Sequence, residues 1–373
     1  MDRILITGGA GFIGSHLADL LLSRGYEVRA LDSLEPQVHG PGRARPPYLD
    51  PAVELLTGDV RDGAAVARAM EGCSAVLHLA AAVGVAQSMY EMRRYTDINS
   101  VGAAVVLEEI ARRRADLRSV VVASSMSIYG EGAYLCPSCG VVHPGIRSRG
   151  RLEARRWEPA CPGCGADCSP APVRESKPLA PTSIYAVNKR DHEEMFLVAG
   201  EAYGFPVVAL RFFNVYGPRQ ALSNPYTGVA AIFASRLLNG GRPLVFEDGM
   251  QSRDFVHVRD VARALACALD RAPVAGGVYN VGTGRPTSVL ALCRMLATGL
   301  GSDIEPLLTG EYRAGDIRHC YADVSAAAER LGFTASVRLE EGMAELASWL
   351  SGRTADDLQE KAAAELRERG LAR

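Results

Sequence analysis

Apolar and polar positions alternate with two periods along the first half of the chain. Apolar runs at 3–7 (RILIT), 27–32 (EVRALD), 53–59 (VELLTGD), 75–80 (AVLHLA), 119–125 (SVVVASS) and 206–212 (PVVALRF) predict buried parallel strands. Stretches at about 14–24, 62–71, 87–115 and 183–203 repeat apolar residues at helical spacing and predict crossover helices. Strand and helix in turn predict an α/β fold built on a doubly wound parallel sheet. After about residue 215 the pattern loosens into loops, short strands and helices at about 228–239, 259–271, 287–300 and 339–351, which predicts a smaller C-terminal lobe. Residues 36–51, rich in Pro, Gly and Arg, predict a surface loop, and 354–373, charged and Ala-rich, a terminal helix or frayed tail.

The turn between the first strand and the first helix reads GGAGFIG. Gly8, Gly11 and Gly14 allow a tight turn and close backbone approach to a pyrophosphate at the helix N-terminus, with Phe12 and Ile13 in the same turn. This predicts a Rossmann-type dinucleotide site. Asp32 closes the second strand, where a carboxylate accepts ribose hydroxyls and repels a 2′-phosphate, so NAD is expected rather than NADP. Asp59 and Val60 are placed to flank the adenine, and Leu79, Ala80 and Ala81 to line the cofactor.

Tyr185 and Lys189, four apart in SIYAVNK, project from one helix face. An ammonium beside a phenol favours the phenolate and is expected to lower its pKa, making Tyr185 a base toward a substrate hydroxyl. Ser125 ends the fifth strand, at the edge where open α/β sheets place ligands.

Between Ser125 and Tyr185 the chain departs from this scheme. Cys136/Cys139 and Cys161/Cys164 form two Cys-x-x-Cys knuckles 21 residues apart. That spacing predicts a closed structural zinc site of four thiolates, with Cys168 and His143 as spare donors. A long loop with few apolar residues needs such a clip to hold a shape. Its position, above the carboxyl edge of the sheet, predicts a folded lid or wall. Cys73, Cys267 and Cys293 are expected in the core.

Composition narrows the class. The chain has 373 residues, 48% of them hydrophobic, and a net charge of −2. A balanced charge offers no broad surface for nucleic acid or membrane. No apolar run reaches spanning length, and the opening residues lack a charged-then-apolar leader, which points to the cytoplasm. Only Lys177, Lys189 and Lys361 are lysines.

The motifs GGAGFIG, SSMSIYG, YAVNK, LRFFNVYGPRQ, RDFVHVRD and GDIRHCYADVSAA occur in the order found in the extended short-chain dehydrogenases/reductases. The chain resembles their nucleotide-sugar 4-epimerases of the UDP-galactose type and, less closely, dTDP-L-rhamnose 4-epimerases, everywhere except about 131–176. The resemblance implies Ser125, Tyr185 and Lys189 as the catalytic triad and Asn99 as a support beside the cofactor. It implies Asn214, Arg253 and Arg313 at the substrate diphosphate, Asp316 at the nucleotide ribose, and Val229 and Cys320 on the substrate side. Cys320 matches a position where a large aromatic blocks N-acetylated sugars. The domains implied are 1–130 with 177–215 for NAD, 131–176 for zinc, 216–353 mainly for substrate, and a tail at 354–373. A homodimer is implied through four helices, 87–115 and 183–203 from each copy. A 4,6-dehydratase would need acid/base groups just after Ser125, where Met126 and Ser127 stand. A uronic-acid decarboxylase, and a non-catalytic NAD-binding regulator using the clip for a partner, are the other readings; the intact triad opposes the last.

Overall fold

The computed structural model describes residues 2–372 apart from 223, 225, 227, 273, 274, 314, 355 and 358. Its centre is a seven-stranded, all-parallel sheet. We label its strands β1 (Arg3–Thr7), β2 (Glu27–Asp32), β3 (Glu54–Thr57), β4 (Cys73–His78), β5 (Ser119–Ser125), β6 (Val207–Phe212) and β7 (Gly277–Val281). Their order in space is β7-β6-β5-β4-β1-β2-β3. The order reverses between β1 and β4, which opens a crevice at the carboxyl edge where dinucleotides bind. Strands β1, β4, β5 and β6 are buried on both faces, as their continuous Ile, Leu and Val content requires. One face packs on Phe12–Ser23 and Val258–Arg271; the other on Gly63–Met70, Gly102–Arg112 and Ile184–Tyr203.

The helical expectations hold with one break. Residues 87–115 form no single helix. Val85–Ser88 and Met92–Thr96 precede a π-turn at Asp97–Val101, and only then does Gly102–Arg112 begin. The boundary at 215 is also less clean than expected. Val258–Arg271 and β7 lie within 216–353 yet complete the sheet, while Val229–Leu238, Val289–Gly299 and Leu339–Leu350 build a second core around Phe233, Leu292 and Leu346. The tail forms a helix at Gln359–Glu368. Among the described residues no helix is long and apolar enough to cross a membrane.

The insert is a small three-stranded antiparallel sheet, with Ala133–Cys136 between Gly140–Val142 and Ser169–Ala171. Its core is only Tyr134, Cys136, Cys161 and Cys168, with Val142 against them.

Candidate active site

A cavity of about 700 Å³ runs along the carboxyl edge of the sheet and into the second lobe. The glycine turn opens it. A Cβ on Gly14 would lie 2.3 Å from the Gly8 carbonyl oxygen, and Gly8 itself has φ +71 and sits against the Ala80 backbone. Only glycine fits either place. Helix Phe12–Ser23 then starts with no acidic side chain in its first turn, so its free amides suit an anion. Asp32 is aimed at this turn, accepting from the amides of Ala10 (3.0 Å) and Leu34 (2.9 Å). Asp59 also reaches the cavity, but Arg61 forks onto it at 2.9 and 2.6 Å, and these bonds hold its carboxyl below the usual range. Phe12, Ile13, Val60, Leu79, Ala80 and Ala81 complete this end. The donors and carboxylate fit a dinucleotide.

Asn99 does not touch the cavity. It is fully buried in the π-turn, where its side chain accepts from the Ala82 amide (2.8 Å) and donates to the Ala82 carbonyl (3.1 Å). It therefore fixes the wall at 80–82. Bulges of this kind often mark functional sites.

Ser125, Tyr185 and Lys189 all line the cavity, with Tyr185 and Ser125 in hydrogen-bond contact. Helix Ile184–Tyr203 positions two of them. Ser183 caps it, its Oγ accepting from the Ala186 amide at 3.1 Å, and the Tyr185 amide pins it by donating to Ser88 Oγ at 3.0 Å. Two turns below Tyr185, Glu193 takes a forked bond from buried Arg211 of β6 (2.5 and 2.9 Å) and the Ser124 hydroxyl of β5 (2.7 Å). One helix face thus carries the reactive groups and ties down the strand they work against.

The electrostatics differ from expectation. Lys189 Nζ donates to the Ala123 carbonyl at 2.9 Å, and burial lowers its pKa to about 7. Burial raises Tyr185 to about 12, with a hydrogen bond to Ser125 pulling the other way. The ammonium does not lower the phenol here, because it is turned to the strand. His78 and His192 close the space behind Lys189. Burial first, then the Lys189 charge, keeps both neutral.

Asn214, Val229, Arg253, Arg313 and Asp316, expected on the substrate side, also line the cavity. Asn214 Oδ1 has no partner, which leaves its side-chain carbonyl free for a ligand. Arg253 reaches Asp316 Oδ1 (3.3 Å) and the Ile317 carbonyl (2.7 Å), while Arg313 forks onto Asp316 Oδ2 at 3.1 and 2.8 Å and lies 4.8 Å over the Phe246 ring. Burial opposes ionisation of Asp316, but Arg313, Arg253 and Arg147 outweigh it and hold the carboxyl below its ordinary range.

Two expectations fail. Cys320 is fully buried among Met126, Tyr129, Val173 and Phe213 and is not on the cavity wall. The insert contributes no lining residue either, so among the described residues it is neither lid nor wall. The tail, expected as a terminal helix or a frayed end, supplies Ala362, Ala363, Leu366 and Leu371 to the cavity, and Glu365 accepts the Tyr226 hydroxyl at 2.6 Å. The apolar spacing in KAAAELRERGL was the available signal.

In the insert, the Sγ atoms of Cys136, Cys139, Cys161 and Cys164 all lie within 4.8 Å of one another. The Gly163 amide donates to Cys161 Sγ at 3.4 Å, as amides do beneath a thiolate, whereas Cys168 Sγ turns to the Ala166 carbonyl. Four thiols so close, with no disulfide among them, suit a tetrahedral metal.

The NAD dependent epimerase/dehydratase family model matches residues 4–142 and 164–282, and the chain belongs to that family. A dTDP-L-rhamnose 4-epimerase of Burkholderia thailandensis is 36% identical, over 94% of this chain and 95% of its own. A dTDP-glucose 4,6-dehydratase of Actinoplanes is 30% identical over 93% and 97%. The UDP-glucose 4-epimerase of Thermus thermophilus, solved in complex with NAD, superposes with a TM-score of 0.75 at 30% identity, covering 94% of this chain and 100% of that one.

Proposed function

We propose that the protein is an NAD-dependent nucleotide-sugar 4-epimerase that inverts C4 of a UDP- or dTDP-linked hexose. The observation that carries this reading is the convergence of Ser125, Tyr185 and Lys189 between a dinucleotide turn and an arginine-rich end in one cavity. The glycine turn, Asp32 and Lys189 would hold NAD, which supplies a reversible hydride acceptor. Tyr185 takes the proton of the 4-hydroxyl, and Ser125 holds the same oxygen as C4 becomes a ketone. After the sugar turns over, the hydride that NAD would hold would come back to the other face of C4 as Tyr185 returns the proton to its oxygen, which yields the C4 epimer. Arg253, Arg313 and Asn214 retain the nucleotide end meanwhile, so the ketone is not lost.

The dehydratase reading has a relative behind it but lacks its acid. Met126 is buried in an apolar cluster, and Ser127 donates its hydroxyl to Ser125 Oγ at 2.9 Å. The acids lining the cavity (Asp32, Glu35, Asp59 and Asp316) sit on the cofactor turns or under the arginines. NMR of the protein with dTDP-L-rhamnose, UDP-glucose and UDP-N-acetylglucosamine separates the reactions. A C4 epimer is expected from at least one; a 4-keto-6-deoxy product would replace this reading with the dehydratase. The same reading includes one structural zinc on the four clustered cysteines, a homodimer and a cytoplasmic enzyme.

A further inference from the structure

The insert stays out of the cavity, yet it carries some of the most deeply buried charges in the molecule. The family model passes over 143–163, which contains Arg147 and Glu158. Both lie in the loop between the two knuckles. The Arg147 side chain is 1% exposed and forks onto Glu247, itself 3% exposed, at 2.9 and 2.7 Å. The same guanidinium donates to the Asp316 carbonyl (3.1 Å) and, within the insert, to the Trp157 carbonyl (3.1 Å). Phe246, directly before Glu247, and Asp316 both line the cavity. Arg147 is thus a single group joining two cavity-lining segments from behind.

Glu158 works beside it. Its two oxygens accept from Arg318 Nε (2.8 Å) and His319 Nε2 (2.9 Å). At the base of the insert, Glu131 accepts the amides of Arg318 (2.8 Å) and His319 (3.0 Å). Desolvating so many charges gains little stability, since a buried pair often contributes no more than an apolar packing would. What it does give is fixed direction, the property a binding site needs.

We propose that Arg147 and Glu158 are positioning residues. They hold residues 316–319 and the Phe246 wall in nucleotide-binding shape, and the knuckles fix both ends of the loop that carries them. This rests on the reading of the cavity as a nucleotide-sugar site. It also explains why a metal clip interrupts an α/β enzyme here: the loop has too little core to hold Arg147 in place alone.

The test is Arg147→Met in the full-length protein. Glu247 keeps its bond to Arg318 (3.0 Å), so the variant leaves no orphaned carboxylate. Titration with UDP and with dTDP is expected to show affinity reduced by about tenfold, with KM rising similarly and kcat within about twofold. Bound NAD should be unchanged. Arg147→Lys, which can still reach one oxygen of Glu247 and the Asp316 carbonyl, should recover part of the loss. Hydrogen exchange without nucleotide should rise at 316–319 in the methionine variant. Unchanged exchange or unchanged affinity would overturn the proposal, as would loss of NAD together with nucleotide. Wild-type protein that bound neither nucleotide would instead overturn the functional reading, on which the exchange measurement does not depend.

Discussion

Burial holds the Tyr185 phenol near 12 in the protein alone, and the proposed reaction uses it as the base. Tyr185→Phe removes the acidic oxygen and almost no volume. Turnover is expected to fall by at least about a hundredfold, the usual scale for a positioned acid/base group, with NAD and nucleoside diphosphate binding within about twofold of wild type. Near-normal turnover in an NMR or coupled assay would remove Tyr185 as the base. Lys189 yields a second prediction. Its pKa is near 7 folded and 10.5 unfolded, so between those values the unfolded chain binds the extra proton. Its contribution to stability is therefore fully present above about pH 10.5 and is lost as pH falls through 7. Denaturation of NAD-free protein should show the wild type gaining on Lys189→Met as pH rises across that window; parallel curves would mean the ammonium is not desolvated. The same variant should bind NAD more weakly. The triad was legible in the sequence because a four-residue helical spacing and a strand end are local facts. The tuning was not, because it depends on the Ala123 carbonyl and two buried histidines that spacing does not reveal. Cys320 shows the same limit: a motif position fixes its place in the chain, not whether Gly132 and Val173 pack over it.

At the scale of elements, the strands and helices of the first half were legible because buried parallel strands repeat one signature. β7 was not. GVYNV is five residues long and follows a long stretch of lobe-like pattern, so only its pairing with β6 assigns it to the sheet. The π-turn at Asp97–Val101 was hidden because helical spacing resumes on either side of it, with only the phase shifted. The knuckles were legible from spacing alone, whereas the insert's contacts lie with 247–248 and 316–319, far away in sequence. With so small a core, the proposed metal would supply much of the order there. Metal analysis of protein purified without chelators should give one zinc per chain. Cys161→Ser should release it and raise exchange across 140–160. The sheet and bound NAD should survive, since none of the cavity lining comes from the insert. Nucleotide affinity should then fall about as far as in Arg147→Met, roughly tenfold, because one change removes and the other untethers the same guanidinium. Zinc-free wild type would end the metal assignment, and a zinc-free variant with full nucleotide affinity would detach the clip from the site.

At the scale of the molecule, helix Ile184–Tyr203 has two working faces. The inner one carries Tyr185, Lys189 and Glu193 against β5. On the outer one Val187 and Val198, eleven residues and so about three turns apart, are 40% and 66% exposed. Val101, at the start of the neighbouring helix, is 47% exposed. Single exposed valines mean little, but three on adjacent helices beside the catalytic face form a surface that a second copy can cover. A two-fold axis there would bring together two helices from each chain, an arrangement with a self-complementary apolar seam. Light scattering at micromolar concentration should therefore give twice the chain mass of 39.8 kDa. Val198→Glu sets like charges against each other across the axis and should shift the protein to monomer. Because a dimer stabilises its folded chains by mass action, wild-type Tm should rise with concentration and the variant's should not. The variant also tests whether the two faces are coupled. A helix freed on its outer side keeps the Glu193–Arg211 clamp, so NAD binding should persist in the monomer. A wild-type protein that scatters as a monomer would leave the exposed valines without a partner and remove the dimer from the proposed function.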